Sequence, residues 1–120
     1  MKKKTLVLGA SLNPSRYSHK AMNRLKLSGH EVVAIGLKQG LVQGVNINTD
    51  LMPFKDIDTV TLYLNPKNQV PYYDYILSLK PKRVIFNPGT ENPELYNILK
   101  MNNIEFEVAC TLVLLSTNQY

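Results

Sequence analysis

The chain has 120 residues, 44% of them hydrophobic and 19% charged, with a formal net charge of +5 and a pI near 9.4. One hydrophobic core commonly serves about 100 to 150 residues, so this composition predicts a single folded domain over residues 1–120 and excludes a disordered chain. A lone cysteine, Cys110, excludes an internal disulfide and fits a reducing, cytoplasmic setting.

From the amino terminus, Lys2 to Leu8 imitates a signal peptide, but its apolar part stops at Gly9-Ala10. A secretory segment needs roughly 7 to 15 apolar residues and a membrane span roughly 18, so neither is expected. Thr5 to Leu8 reads as a first strand behind a solvated lysine cluster. The other positive charges are scattered, with no basic block and no basic-aromatic stripe, so no nucleic-acid partner is expected either.

After the loop that follows the first strand, a helix runs from about Ser18 to Ser28. Ser18 is its expected cap, Ala21, Met22, Leu25 and Leu27 its inward residues, and Gly29 its left-handed stop. Val32 to Ile35 is the second strand. Gly36 to Phe54, with its glycines, asparagines and Pro53, reads as a long connection holding at most a short strand around Val45 to Ile47. Thr59 to Leu64 is the third strand. Asn65-Pro66 then caps and opens a helix through Tyr72, Tyr75, Ile76 and Leu79, which Pro81 ends. Arg83 to Phe86 is the fourth strand, and Asn92-Pro93-Glu94 opens a helix carrying Leu95, Ile98, Leu99 and Met101. Glu105 to Val108 is the fifth strand, and the tail from Cys110 to Tyr120 closes with a short helix.

Near-continuous apolar strands are covered on both faces, as parallel strands are. The alternation therefore predicts an α/β, three-layer, Rossmann-like domain. It has about five parallel strands in order 3-2-1-4-5, with right-handed crossovers placing helices on both faces. A ligand then belongs outside the carboxyl ends of the strands, beside the first.

Three loops at that end contain Asn-Pro: Asn13-Pro14, Asn65-Pro66 and Asn87-Pro88. The first carries the clearest chemistry. Gly9 turns the backbone without a Cβ, small Ala10 and Ser11 let amides approach a pyrophosphate, and the helix beyond aims its positive end at it. Ser11 and Ser18 add hydroxyl donors, and Arg16 adds a planar fork suited to phosphate. A dinucleotide-binding domain places Asp or Glu after its second strand to hold the ribose hydroxyls. Here stand Gly36 and Lys38. An ammonium favours a ribose that carries an extra phosphate, for which NADP and coenzyme A both qualify.

Signals for catalysis are thin. His19 and His30 have no Cys or Asp at metal-ligand spacing and read as surface or capping residues. The carboxylates form no acid-base pair, Glu94 reads as a helix-start acid, and Cys110 reads as a packing residue. No catalytic and no metal-binding residue is expected. The tyrosines Tyr72, Tyr73 and Tyr75 read as core and surface.

The combination of Gly9-Ala10-Ser11, Asn13-Pro14-Ser15-Arg16-Tyr17-Ser18, Tyr63-Leu64-Asn65-Pro66 and Phe86-Asn87-Pro88-Gly89-Thr90-Glu91 resembles the small stand-alone CoA-binding family, which is similar to the amino-terminal domain of the succinyl-CoA synthetase α subunit. The resemblance covers nearly the whole chain. It implies a domain that binds coenzyme A or acyl-CoA, with Gly9, Ala10, Ser11, Arg16 and Ser18 on the phosphates and Asn13 and Tyr17 in the same loop. It also implies adenine near Gly36, Lys38 facing the phosphorylated ribose, and Leu64, Asn65, Pro88 and Gly89 bordering the pantetheine arm. Many relatives carry Trp and Gln where this chain has Asn87-Pro88. The expected role is a carrier, sensor or subunit without catalytic machinery, alone, as a homo-oligomer or with a protein partner. The alternative is a minimal NADP- or mononucleotide-binding oxidoreductase-type domain.

Overall fold

In the computed structural model, which describes residues 2–120, the apolar runs assemble into one seven-stranded sheet. The strands are β1 (Thr5–Ala10), β2 (Val32–Gly36), β3 (Gly40–Val42), β4 (Val45–Asn48), β5 (Thr59–Leu62), β6 (Arg83–Phe86) and β7 (Glu105–Val108). Their order is β3-β4-β2-β1-β5-β6-β7. All neighbours are parallel except β3 with β4.

The α/β class and the dominance of parallel strands follow the sequence expectation, whereas strand count and order differ in detail. Thr59–Leu62 pairs with β1 rather than with β2. The position outside β2 is taken by β4, through Ala34 to Ile47 and Ile35 to Asn48. Read as a connection, Gly36 to Phe54 in fact holds the β3–β4 hairpin. Its tight turn is Gln43-Gly44, both at positive φ (50° and 77°), flanked by the Val42–Val45 pair. Positive φ at both central residues is what a two-residue type I′ hairpin turn requires. Only Gly44 announces it, because glutamine seldom adopts that conformation.

Because side chains alternate across a strand, each strand feeds two cores. Leu6, Leu8, Val60, Leu62, Val84 and Phe86 point to one face, where α3 (Tyr73–Leu79) and α4 (Pro93–Met101) cover them with Tyr75, Ile76, Leu95 and Leu99. Val7, Ala10, Ala34, Val45 and Ile47 point to the other, against Met22 and Leu25 of α1 (Tyr17–Leu27) and Leu115 of α5 (Thr111–Ser116). A fully buried Leu, Ile or Phe contributes about 1.5 to 3 kcal/mol, so these two interfaces carry the fold. No helix crosses between β4 and β5; Phe54 and Ile57 of that segment pack on the α3 side instead.

The helix ends partly depart from expectation. Arg16, not Ser18, occupies the cap position of α1, with no side-chain bond, and Ser18 is buried within the helix. Gly29 does turn left-handed, at φ 84°. Leu27, expected inside, and Met101 are exposed at 82% each. The helix expected from Asn65 to Leu79 is broken into α2 (Pro66–Gln69), a 3-10 turn at Val70–Tyr72, and α3. Pro71 accounts for the break, since proline lacks the N–H a continuous helix needs. Asn65 and Asn92 cap as expected, accepting from the backbone N–H of Asn68 at 2.9 Å and of Leu95 at 3.4 Å. The closing helix is present as α5. His30 is buried rather than superficial, its Nδ1 accepting the Lys3 amide at 2.9 Å while its ring meets Tyr120 edge-on. Of the lysine cluster, Lys3 and Lys4 are half-buried, and Lys4 pairs with Glu31 at 3.6 Å.

At the end of β2 the backbone passes so close to β1 that a Cβ built on Gly36 would lie 2.2 Å from the Ala10 carbonyl oxygen. Gly36→Ala should therefore lower stability by about 2 kcal/mol or more, because a backbone atom cannot yield as a side chain does. A fall in the urea midpoint with an unchanged slope would show it; an unshifted midpoint would refute the close contact.

Candidate functional site

All six parallel strands end at the same edge of the sheet, so the loops after β1, β2, β5 and β6 converge there. Gly9 makes the first of them possible. It interrupts the β1–β2 register between Leu8 and Ala10 and adopts φ 97°. A Cβ on it would lie 3.0 Å from the Tyr63 carbonyl carbon and 3.1 Å from the Leu64 side chain. The first loop is thus seated against Leu64 on one side. On the other, Leu12 fills the space over Gly40, where a Cβ would come within 2.4 Å of it.

The rest of the first loop is shaped by short polar bonds. Asn13 Oδ1 accepts from the Ser15 N–H (3.0 Å) and the Ser15 hydroxyl (2.8 Å), and the Ser11 hydroxyl accepts from the Asn13 N–H (3.1 Å). Such Asx-type turns hold a loop without a hydrophobic core. Asn13, Arg16 and Tyr17 are exposed, with the Lys20 ammonium 5.2 Å from the centre of the Tyr17 ring. Helix α1 begins behind them. Its first turn contains no acidic residue and no side chain caps it, so its amides keep their pull on an anion.

The expected residues therefore divide into groups. Gly9, Ala10, Gly36 and Leu64 are brought together around the end of β1, and Ser11, Asn13, Arg16 and Tyr17 rise from it in sequence. Lys38 is exposed beyond Gly36, and Asn65, Pro88 and Gly89 are exposed at the next two loops. Ser18 stands apart, being only 4% accessible. The Gly89 N–H donates to Glu91 Oε1 at 2.9 Å, so the carboxylate holds that turn. Two open surface hollows, of about 550 and 370 Å³, lie at the opposite end of the sheet, around Arg83, Lys100 and Phe106 and around Lys2, His30 and Tyr120.

Sequence reasoning missed what holds those loops. Asn87 is 1% accessible. Its Nδ2 donates to Thr61 Oγ1 (2.7 Å) and the Leu62 carbonyl (2.8 Å), and its Oδ1 accepts the Thr111 N–H (2.9 Å). Thr61 and Thr111 are joined through their hydroxyls at 2.8 Å. One asparagine thus ties the ends of β5 and β6 to the start of α5. Beside this network, burial pushes the Tyr63 phenol from its ordinary 10.0 up to about 12, with the Thr111 and Thr61 hydroxyls pulling the other way. Its oxygen has no hydrogen-bond partner. Cys110, half-buried, precedes Thr111 at this same edge.

The sequence of the family known as the CoA binding domain matches residues 3–116. The chain belongs to that CoA-binding family. A crystal structure of an uncharacterized protein is 53% identical, with TM-score 0.97 over 100% of this chain and 99% of the other. A Thermus thermophilus protein at 24% identity gives TM-score 0.86 over 99% and 91%. A dinucleotide-forming acetyl-coenzyme A synthetase of Ca. Korarchaeum cryptofilum, solved with phosphate and ADP, shares the fold at TM-score 0.71 and 17% identity. That likeness covers 89% of this chain and 25% of the synthetase. No curated protein matches in sequence. For this family member, no described helix is long and apolar enough to cross a membrane. No described group of three or more His, Cys, Asp or Glu could hold a metal ion.

The buried phenol makes the CoA-binding domain sensitive to alkali. A folded-state value raised above 10.0 means that Tyr63 contributes stability fully below pH 10, and that this contribution is lost as pH rises towards about 12. Tyr63→Phe should lose less stability than the parent between pH 10 and 12. Melting temperatures across that window test this; parallel curves would contradict it.

Proposed function

We propose that this chain is one CoA-binding domain that holds coenzyme A or an acyl-CoA in the crevice at the carboxyl edge of its sheet, without catalytic machinery of its own. The observation that carries the reading is the uncapped start of α1 behind the Gly9 bulge, in a chain that belongs to the CoA-binding family. Unsatisfied first-turn amides and the helix dipole favour a phosphate there. Ser11 and Arg16 stand within the same exposed loop, and each charge-assisted bond they add is worth about 1.5 to 3 kcal/mol. Lys38, just after β2 and with no acid in its place, favours the ribose phosphate that distinguishes coenzyme A from its dephosphorylated form. Leu64, Asn65, Pro88 and Gly89 border the path left for the pantetheine arm, which leads towards Cys110 and the Asn87 network.

The domain reads as a carrier, sensor or subunit. Its single cysteine fits a cytoplasmic setting.

A ligand that binds only the folded state adds about 2.7 kcal/mol of stability at a hundred times its dissociation constant, a shift easily read as melting temperature. Coenzyme A should raise the melting temperature most, dephospho-CoA and NAD clearly less. Equal shifts for coenzyme A and dephospho-CoA would remove the role of Lys38. A larger shift with NADP would favour an oxidoreductase-type domain, and no shift with any of them would sink the reading.

Arg16→Ala should weaken every phosphorylated ligand by about tenfold while leaving the melting temperature of the free protein unchanged, because the side chain is exposed and caps nothing. Unaltered affinities in a calorimetric titration would mean that Arg16 faces solvent in the complex.

A further inference from the structure

One fully buried polar side chain behind the loops of the carboxyl edge is Gln69, with 0% relative accessibility. It lies on α2, the single turn that Pro71 separates from α3. Its Nε2 donates to the Leu64 carbonyl and to the Thr90 carbonyl, both at 2.8 Å, and its Oε1 accepts from Asn92 Nδ2 at 2.9 Å. A primary amide taken out of water is costly unless its donors and acceptor are met, and here both donors and the oxygen are. The chain of bonds continues outward. Asn92 Nδ2 donates to the Tyr73 hydroxyl at 2.8 Å, and Tyr73 donates to Glu94 Oε1 at 2.9 Å.

The two carbonyls belong to different loops. Leu64 follows β5, and its side chain is the one that Gly9 must make room for. Thr90 follows β6, and its hydroxyl donates to the Asn87 carbonyl at 2.7 Å. A single planar amide therefore sets the distance between the β5 and β6 loops.

We infer that Gln69 is a positioning residue for the pantetheine part of the ligand. It would hold the two loops that flank that arm at a fixed gap without touching the ligand itself. The inference rests on the CoA-binding reading above and deepens it. Gln69 makes no bond to the first loop or to Lys38, so its influence should be felt by the arm and not by the phosphates.

The experiment is a calorimetric titration of the full chain with two ligands: coenzyme A, and its phosphoadenosine diphosphate half lacking pantetheine. Gln69→Met keeps the length of the side chain and removes both donors. It should weaken coenzyme A by about tenfold and the nucleotide half by less than about twofold. Gln69→Glu should do the same at neutral pH, where a carboxylate faces two carbonyls. The ratio of the two affinities should recover as the pH is lowered and the carboxyl regains a donor. Tyr73→Phe, which removes the next bond from a half-buried side chain and leaves the core intact, should lower the ratio by a smaller factor, and it provides the reading if the Gln69 variants do not fold. A ratio unchanged in the variants that fold, or an equal loss for both ligands, would overturn the positioning role. If the parent chain binds the nucleotide half as tightly as coenzyme A, the arm has no site and the inference also falls. Failure of the parent to bind coenzyme A at all would instead overturn the functional reading on which it rests.

Discussion

At its carboxyl end β1 is pressed between β2 and β5, and at each contact a glycine stands where a side chain would be crowded. Gly9, bulged at φ 97° against the Tyr63 carbonyl carbon, takes one contact, and Gly36, against the Ala10 carbonyl, takes the other. The sheet reverses its winding direction at this strand, since β2 and β4 lie to one side and β5 to β7 to the other. In doubly wound sheets the crevice opens where the winding reverses. Two glycines thus decide both that the strands can pair and that the first loop rises out of the sheet rather than folding over it.

The loops at this edge are joined by buried amides. Asn87 joins the ends of β5 and β6 to α5, while Gln69 joins the loops that leave those strands. Loops at a sheet edge expose backbone carbonyls that need partners, and a hydrophobic plug would leave them unsatisfied. Asparagine and glutamine carry donors and an acceptor on one plane, so each can satisfy several loop atoms at once. The consequence is a set of loops fastened to one another beneath exposed polar residues.

The opposite end of the sheet has a different character. Arg83 there spans Thr59 and Glu107 and stacks on the Tyr120 ring at 4.5 Å, and His30 meets the same ring from its edge. These contacts fasten the last residues across the start of the strands. They fix the course of α5, whose other end begins at the Asn87 network, so the helix is tied at both ends of the sheet.

Much of this was legible in the amino-acid order. Apolar runs separated by helical spacing determined the alternation of strands and helices, and Asn-Pro at positions 65 and 92 determined two helix starts, because capping and proline geometry act over only three or four residues. The glycine loop after β1 was likewise visible, since only a residue without a Cβ turns there. What tertiary structure alone decided lies in pairings between distant segments. β4 lies in a segment read as a connection with at most a short strand around Val45 to Ile47, and only its pairing with β2 in the fold makes the strand order depart from the expected 3-2-1-4-5. Ser18 looks like a cap until the chain's entry into α1 gives that place to Arg16. In the sequence Gln69 is one polar residue of the second helix and Asn87 one of a turn, and their bonds exist only because folding brings the carbonyls of Leu64, Thr90 and Leu62 to them. Local chemistry sets where elements begin and turn; the partners of a buried polar group are chosen by the whole fold.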